Sequence, residues 1–149
     1  MQGHIMFSRS AHRMQFYLIN DDGSKELRHV IDARNETVGP TDGVPYGHFG
    51  PCPPGDYVLG QPESRDEIAF GRFFTPLLDV HGNWAPHGRS EIGVHGGGSA
   101  SPTPFAPQQG WYPTEGCIRL QNADNEQIFM PFVHTIQSAG GQVVFTVAP

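Results

Sequence analysis

Two short segments carry the residue types that nucleophilic catalysis needs. One is Ile92-Gly93-Val94-His95-Gly96-Gly97-Gly98. The other is Tyr112-Pro113-Thr114-Glu115-Gly116-Cys117-Ile118-Arg119-Leu120, running on into Gln121-Asn122-Ala123-Asp124. A thiol attacks a carbonyl well only as thiolate, and a neighbouring imidazole or a helix N-terminus promotes that form. Cys117 is therefore the candidate nucleophile and His95 the candidate base. Gly116 leaves room for a substrate to approach the backbone, and the N–H groups of Gly116 and Cys117 are candidate oxyanion donors. Taken singly, Cys117 reads as well as a buried thiol, and His95 as a satisfied polar residue at a strand end. Cys52, flanked by Pro51 and Pro53, reads as a packed and inert thiol. A Cys52–Cys117 disulfide is the alternative, although a domain of this length needs no staple. Two cysteines without a CxxC pair argue against a zinc–thiolate site.

These residues need strands and turns to bring them together. Met14 to Asn20 is rich in aromatic and branched residues and reads as a strand. Asp21-Asp22-Gly23-Ser24 is a turn signal, and Leu27 to Ala33 reads as the returning arm of a hairpin. Asn35 to Pro54 is a long Gly/Pro-rich connection leading into a short strand from Asp56 to Gly60. Phe73 to Val80 reads as a strand that Pro76 confines to an edge or a bulge. Glu91 to His95 reads as a short strand ending in glycines. Gly96 to Pro113 is a loop containing Pro102, Pro104, Pro107 and Pro113, and Cys117 to Leu120 is a compact apolar stretch. Asp124 to Ala139 has helical periodicity, with Ile128, Phe129, Phe132, Val133 and Ile136 on one face. Asp124 and Gln127 fit a capping box, Gly140 fits the stop, and Pro131 should kink the helix or shift its start. Val143 to Val147 reads as a closing strand. The fold class is mostly β, a closed or half-closed barrel, with one main helix near the C-terminus.

The chain has 149 residues and a net charge of −6, which suits one domain spanning 1–149 with a real core. Gly (19) and Pro (14) are abundant, as a strand-and-loop fold requires. The nine Lys and Arg residues are scattered, so no basic stripe exists to track nucleic acid. No apolar run is long enough to span a membrane. The opening MQGHIMFSRSAHR lacks the apolar region of a signal peptide. The expectation is a leader already removed, a cytoplasmic protein, or export by a route that needs none.

His-Gly-Gly, a loop, Thr-Glu-Gly-Cys-Ile-Arg-Leu and then Asn-x-Asp resembles the L,D-transpeptidase catalytic domain of the YkuD-like family. Phe16 to Val30 looks like the family's opening hairpin, Gly50 to Leu59 like its Gly/Pro stretch before a strand, and Asn122 to Val147 like its closing helix and strand. The resemblance implies a mostly-β barrel or sandwich without a cofactor. It makes Cys117 the nucleophile and His95 its base, with Gly116 in the oxyanion hole and Thr114 fixing the loop or orienting the imidazole. Arg119, Tyr112 and Gly96 would contact substrate, Arg119 by pairing or direct contact. The implied substrate is a peptidoglycan stem peptide. Cys117 would displace its terminal D-alanine to give a thioester, which an amine, water or a D-amino acid then resolves. The implied site of action is the periplasm or cell envelope. Two features depart from the family pattern. Glu115 stands where His is usual, and a carboxylate beside a thiolate opposes it unless it points away or pairs. The loop between His95 and Thr114 is longer and richer in proline. Such divergence resembles transpeptidase-like toxins, which would add an immunity or secretion partner.

Other classes fit less well. A sortase-like enzyme also places His before Cys, but the Thr-Leu-x-Thr run that precedes its cysteine is absent, and papain-like peptidases reverse the order. A zinc hydrolase could draw on His81, His87 and His95 with Asp79 and Asp66, but no compact ligand motif joins them. A silent binding module of the same fold is the third reading, favoured by Glu115. Trp84 and Trp111 are either cleft-lining or core-covering residues. His48 and His134 have no evident partner in sequence.

Overall fold

The computed structural model describes residues 1–40 and 42–149. Among these, nine strands form one mixed sheet: β1 (Gln2–Ser8), β2 (Arg13–Ile19), β3 (Lys25–Asp32), β4 (Gly55–Leu59), β5 (Glu63–Glu67), β6 (Gly71–Leu78), β7 (Gly93–His95), β8 (Ile118–Arg119) and β9 (Val143–Ala148). The strand order is β3-β2-β1-β9-β4-β6-β7-β8, with β5 added alongside β6. The path is open, but Arg34, just past β3, makes an isolated bridge to Arg119 of β8. That bridge brings the two ends of the open sheet together.

Alternation builds the core. Ile5 and Phe7, Met14 and Phe16, Tyr57 and Leu59, and Val143, Phe145 and Val147 are each spaced by two and all face inward. Period two is the geometry of a strand with one buried face. The helical segment covers that face with Phe129, Val133 and Ile136.

The helix begins earlier than its capping signal suggested. It starts as α1 (Asn122–Asp124), widens into a π turn (Asn125–Phe129) and continues as α2 (Met130–Ser138). Gln121 occupies the N-cap position and Asp124 lies inside, so the Asp124–Gln127 box is not formed. Pro131 has no N–H to give, and it sits in the first turn of α2 directly after the π turn, where that loss is absorbed. The helix stops at Gly140, whose N–H reaches the carbonyl of Gln137 at 3.0 Å.

Two strands give no signal in the sequence, and β8 shows there only as a compact apolar stretch. β1 was hidden in the opening segment, yet it pairs antiparallel with β2 and parallel with β9. β5 is polar throughout, four of its five residues charged, without an apolar pattern. Pro76 lies in an interior strand, which corrects its assignment to an edge or bulge. On one side it pairs with Gly93. On the other it stands where the neighbour of β6 changes from β5, opposite Phe73 and Phe74, to β4, opposite Leu77 and Leu78. A residue without an N–H fits that gap in the ladder.

Gly93 allows β6 and β7 to pack closely. A Cβ there would lie 2.5 Å from the Phe74 ring and 2.6 Å from the Thr75 carbonyl oxygen. The ring could turn, but the backbone oxygen cannot. Gly93→Ala is expected to lower stability by about 1–3 kcal/mol in urea denaturation. A variant as stable as the parent would mean that this contact yields freely.

Candidate active site

Parallel pairing of β7 with β8 puts the chemistry-bearing residues on one face. Val94 pairs with Ile118 and His95 with Arg119. Val94 and Ile118 point into the core and are fully buried. Their neighbours Gly93, His95, Cys117 and Arg119 therefore face the opposite way. His95, Cys117, Arg119, Tyr112 and Thr114 line one cleft of about 1060 Å³. Both cysteines are free. Cys52 is 1% exposed, and burial pushes its thiol up to about 12, which fits an inert role.

The turn before Cys117 is held from several sides. Gly116 adopts φ +132°, a conformation that L side chains rarely take. Its N–H donates to Thr114 Oγ1 at 3.1 Å, and that hydroxyl donates to the Cys117 carbonyl at 2.6 Å. The Thr114 backbone is anchored to Glu36 and Val38. Thr114 thus fixes the loop, and among the described residues no hydrogen bond links it to the imidazole. Asn35, fully buried, donates through Nδ2 to the carbonyls of Gly116 and Cys117, each at 2.9 Å. Its Oδ1 accepts from the Cys52 N–H at 2.8 Å.

His95 is 3% exposed. Its Nδ1 lies 2.7 Å from the Gly96 carbonyl. A carbonyl can only accept, so Nδ1 carries the proton and Nε2 is left basic. Phe70 packs edge-on to the ring at 4.8 Å, and Phe74 stacks on it at 6.0 Å. Burial among these rings lowers the imidazole to about 3, with the Arg119 charge adding to the effect and the Gly96 bond opposing it. The thiol moves the other way. Burial raises it, and the Gly93 N–H, 3.5 Å from Sγ, together with Arg119 and Arg89, pulls back. At rest both groups are neutral. Among the described residues no hydrogen bond joins the imidazole to Sγ, and such bonds often form only once substrate is bound.

Arg119 is 4% exposed. Its Nε donates to the Tyr112 carbonyl at 3.0 Å, and its Nη1 to those of Gly96 and Gly97 at 2.8 and 2.5 Å. It clamps the loop on either side of the site. Gly96 is buried behind the cleft, outside its lining. A Cβ there would run into Asn122, so Gly96 acts through its carbonyl on His95 rather than as a cleft surface. Gly116 also lies behind the cleft. Glu115 sits exposed on the rim, and its charge only weakly opposes ionisation of the thiol.

The long loop from 96 to 113 is ordered by amide side chains. Gln109 Nε2 donates to the carbonyls of Gly97 and Leu120. Asn122 Oδ1 accepts from Gly97 N–H, and its Nδ2 donates to Pro104 and Ala106. Gln121 pairs twice with Gly110. Asn35, Gln109 and Arg89 carried no distinguishing signal in the sequence; Asn122 stood out only as part of Asn-x-Asp. Trp84 lines the cleft and also packs on the core. Trp111 lies outside the cleft, with the Arg34 guanidinium 4.9 Å from its ring centre. His48 lines the cleft beside Phe49, and His134 sits on α2, 3.3 Å from Ser138 Oγ. Among the described residues no three His, Cys, Asp or Glu side chains gather closely enough to hold a metal ion. Asp79 instead accepts from the N–H groups of Asn83 and Trp84, and His87 packs on Tyr46.

The buried His95 links stability to pH. In the folded chain its imidazole stays neutral down to about 3, whereas in the unfolded chain it takes a proton near about 6.5. Its contribution to stability is therefore complete above about 6.5 and is lost as pH falls toward about 3. The melting temperature is expected to drop through this window, less steeply in His95→Gln. Parallel curves for the two proteins would contradict the assignment.

A model of the L,D-transpeptidase catalytic domain (YkuD) matches residues 2–130, a span that contains the whole site. The fold is similar to the helical cell shape determining protein Pgp2 (K307A mutant) from Campylobacter jejuni, with a TM-score of 0.68 and 18% identity over 98% of this chain and 46% of that one. It is also similar to Bd1075 from Bdellovibrio bacteriovorus, with a TM-score of 0.60 and 13% identity over 86% of this chain and 43% of that one. The chain spans less than half the length of these solved structures. No match was found among curated protein sequences. The family match covers most of the chain and the solved structures share its fold, so the chain belongs to the L,D-transpeptidase catalytic domain (YkuD) family.

Proposed function

We propose that the chain is a cysteine-dependent acyltransferase acting on peptidoglycan stem peptides, with Cys117 as nucleophile and His95 as general base. The observation that carries this reading is the placement of the two side chains on the same face of paired parallel strands, in one cleft. His95 presents Nε2 as the basic nitrogen because Nδ1 is held by Gly96. As Sγ attacks the carbonyl of the third stem residue, its proton passes to Nε2. The Gly116 N–H is already engaged with Thr114, which leaves the Cys117 N–H as the donor for the developing oxyanion. Collapse of the intermediate breaks the peptide bond. D-alanine leaves with the proton from Nε2, and a thioester remains. An amine then gives a cross-link, water gives carboxypeptidase activity, and a D-amino acid gives exchange. Burial of both groups favours a proton that moves during attack over a preformed ion pair.

The place of action in this proposal is the periplasm or cell envelope. One structural relative is described as a helical cell shape determining protein, which suits a partner in the cell wall. A silent binding module of the same fold is the second reading. It is favoured by burial, which raises the thiol and depresses the imidazole.

Mass spectrometry of disaccharide-tetrapeptide muropeptides after incubation separates these outcomes. Release of D-alanine with new dimer means cross-linking; release without dimer means carboxypeptidase or toxin-like hydrolysis. Cys117→Ala is expected to lower turnover by about 10³-fold or more, and His95→Ala by roughly 10²–10⁴-fold. An active Cys117→Ala protein would end the assignment. Muropeptide binding without any turnover in the parent would favour the silent module.

A further inference from the structure

Arg89 lies on the cleft wall between the 3-10 turn Ala85–His87 and β7. Among the described residues no carboxylate forms an ion pair with it, although Asp42 is near enough to act on its charge. Its Nη1 is 2.9 Å from the carbonyl oxygens of Tyr46 and Gly47, 2.8 Å from that of Gly50 and 3.0 Å from that of Pro51. Its Nη2 donates to the Glu115 carbonyl at 2.8 Å. One side chain therefore joins two loops far apart in sequence. The first contains Tyr46 and Phe49 at φ +62° and +66°, conformations that persist in non-glycine residues only when the surroundings hold them. The second is the turn that presents Cys117. The guanidinium is also seated against bare Gly116, where a Cβ would collide with Nη2.

We propose that Arg89 is a positioning residue for acyl transfer at Cys117: its fork locks the 46–51 loop to the Glu115–Gly116 turn and so fixes the Cys117 N–H against the reacting carbonyl. This rests on the reading of Cys117 as nucleophile. Two rigidly spaced nitrogens are needed to hold both loops, which a lysine ammonium does not provide. The charge has a separate effect, because a cation near the thiol favours its ionised form.

Arg89→Lys keeps the charge and removes the fork, whereas Arg89→Gln removes both. Backbone amides of residues 46–50 are expected to exchange with deuterium about tenfold faster or more in both variants. The pH midpoint for iodoacetamide alkylation of Cys117 should rise in Arg89→Gln and stay near the parent value in Arg89→Lys. On tetrapeptide muropeptides, kcat should fall by about tenfold or more in both, with a smaller change in KM. Parent-like exchange and kcat in Arg89→Lys would overturn the proposal, since charge alone would then suffice. If Arg89→Gln melts below the assay temperature, Arg89→Lys decides alone. If the parent shows no turnover, exchange and alkylation still test Arg89, because neither needs a stem peptide. Unchanged exchange would then overturn its positioning role independently of the proposed reaction.

Discussion

The register of β7 against β8 is the constraint on which the site depends. With Val94 opposite Ile118, the core claims those two side chains and the cleft receives His95 and Cys117. A one-residue slip of β8 would turn Ile118 outward and bury Cys117 in the core. β8 is only two residues long, so its own ladder cannot fix this register. It is held from both sides: Leu120 N–H reaches the His95 carbonyl at 2.9 Å, and Arg34 exchanges two hydrogen bonds with Arg119 at 3.0 and 2.8 Å. Asn35, the next residue, holds the carbonyls just before the strand. The bridge between the two ends of the sheet thus also sets the position of Cys117.

Backbone carbonyls, rather than carboxylates, hold the site together. Arg119, Arg89, Asn35 and Thr114 each bind main-chain oxygens of irregular segments. Irregular backbone leaves its polar groups without ladder partners, and a buried orphan is costly. These side chains satisfy such groups and make the loops specific in shape. The two arginines also bring positive charge near the thiol, opposing part of the burial that suppresses its ionisation. The imidazole is depressed as well, so burial favours the neutral form of both groups.

Much of this was legible in the sequence, for identifiable reasons. A strand rich in aromatic and branched residues that runs into an Asp-Gly turn, as in the β2–β3 hairpin, follows from local chemistry. So does the amphipathic helix with its glycine stop. His95 and Cys117 stood out because glycines surround them and the spacing resembles a known family. β1 and β5 were not legible. β1 gains its identity from distant partners, and β5 has no apolar pattern. Pro76 points to an edge or a bulge because sequence does not show where a strand changes neighbours. Arg89 and Asn35 looked ordinary because their partners are carbonyls, which every residue carries.

The most direct test of the central claim is intact-protein mass spectrometry of the chain, acid-quenched during reaction with a disaccharide-tetrapeptide. The account predicts a covalent adduct equal to the donor minus D-alanine, mapped by digestion to Cys117 and released by hydroxylamine as a thioester should be. D-Alanine release without a Cys117 adduct in rapid-quench time courses, or an adduct at another residue, would contradict it.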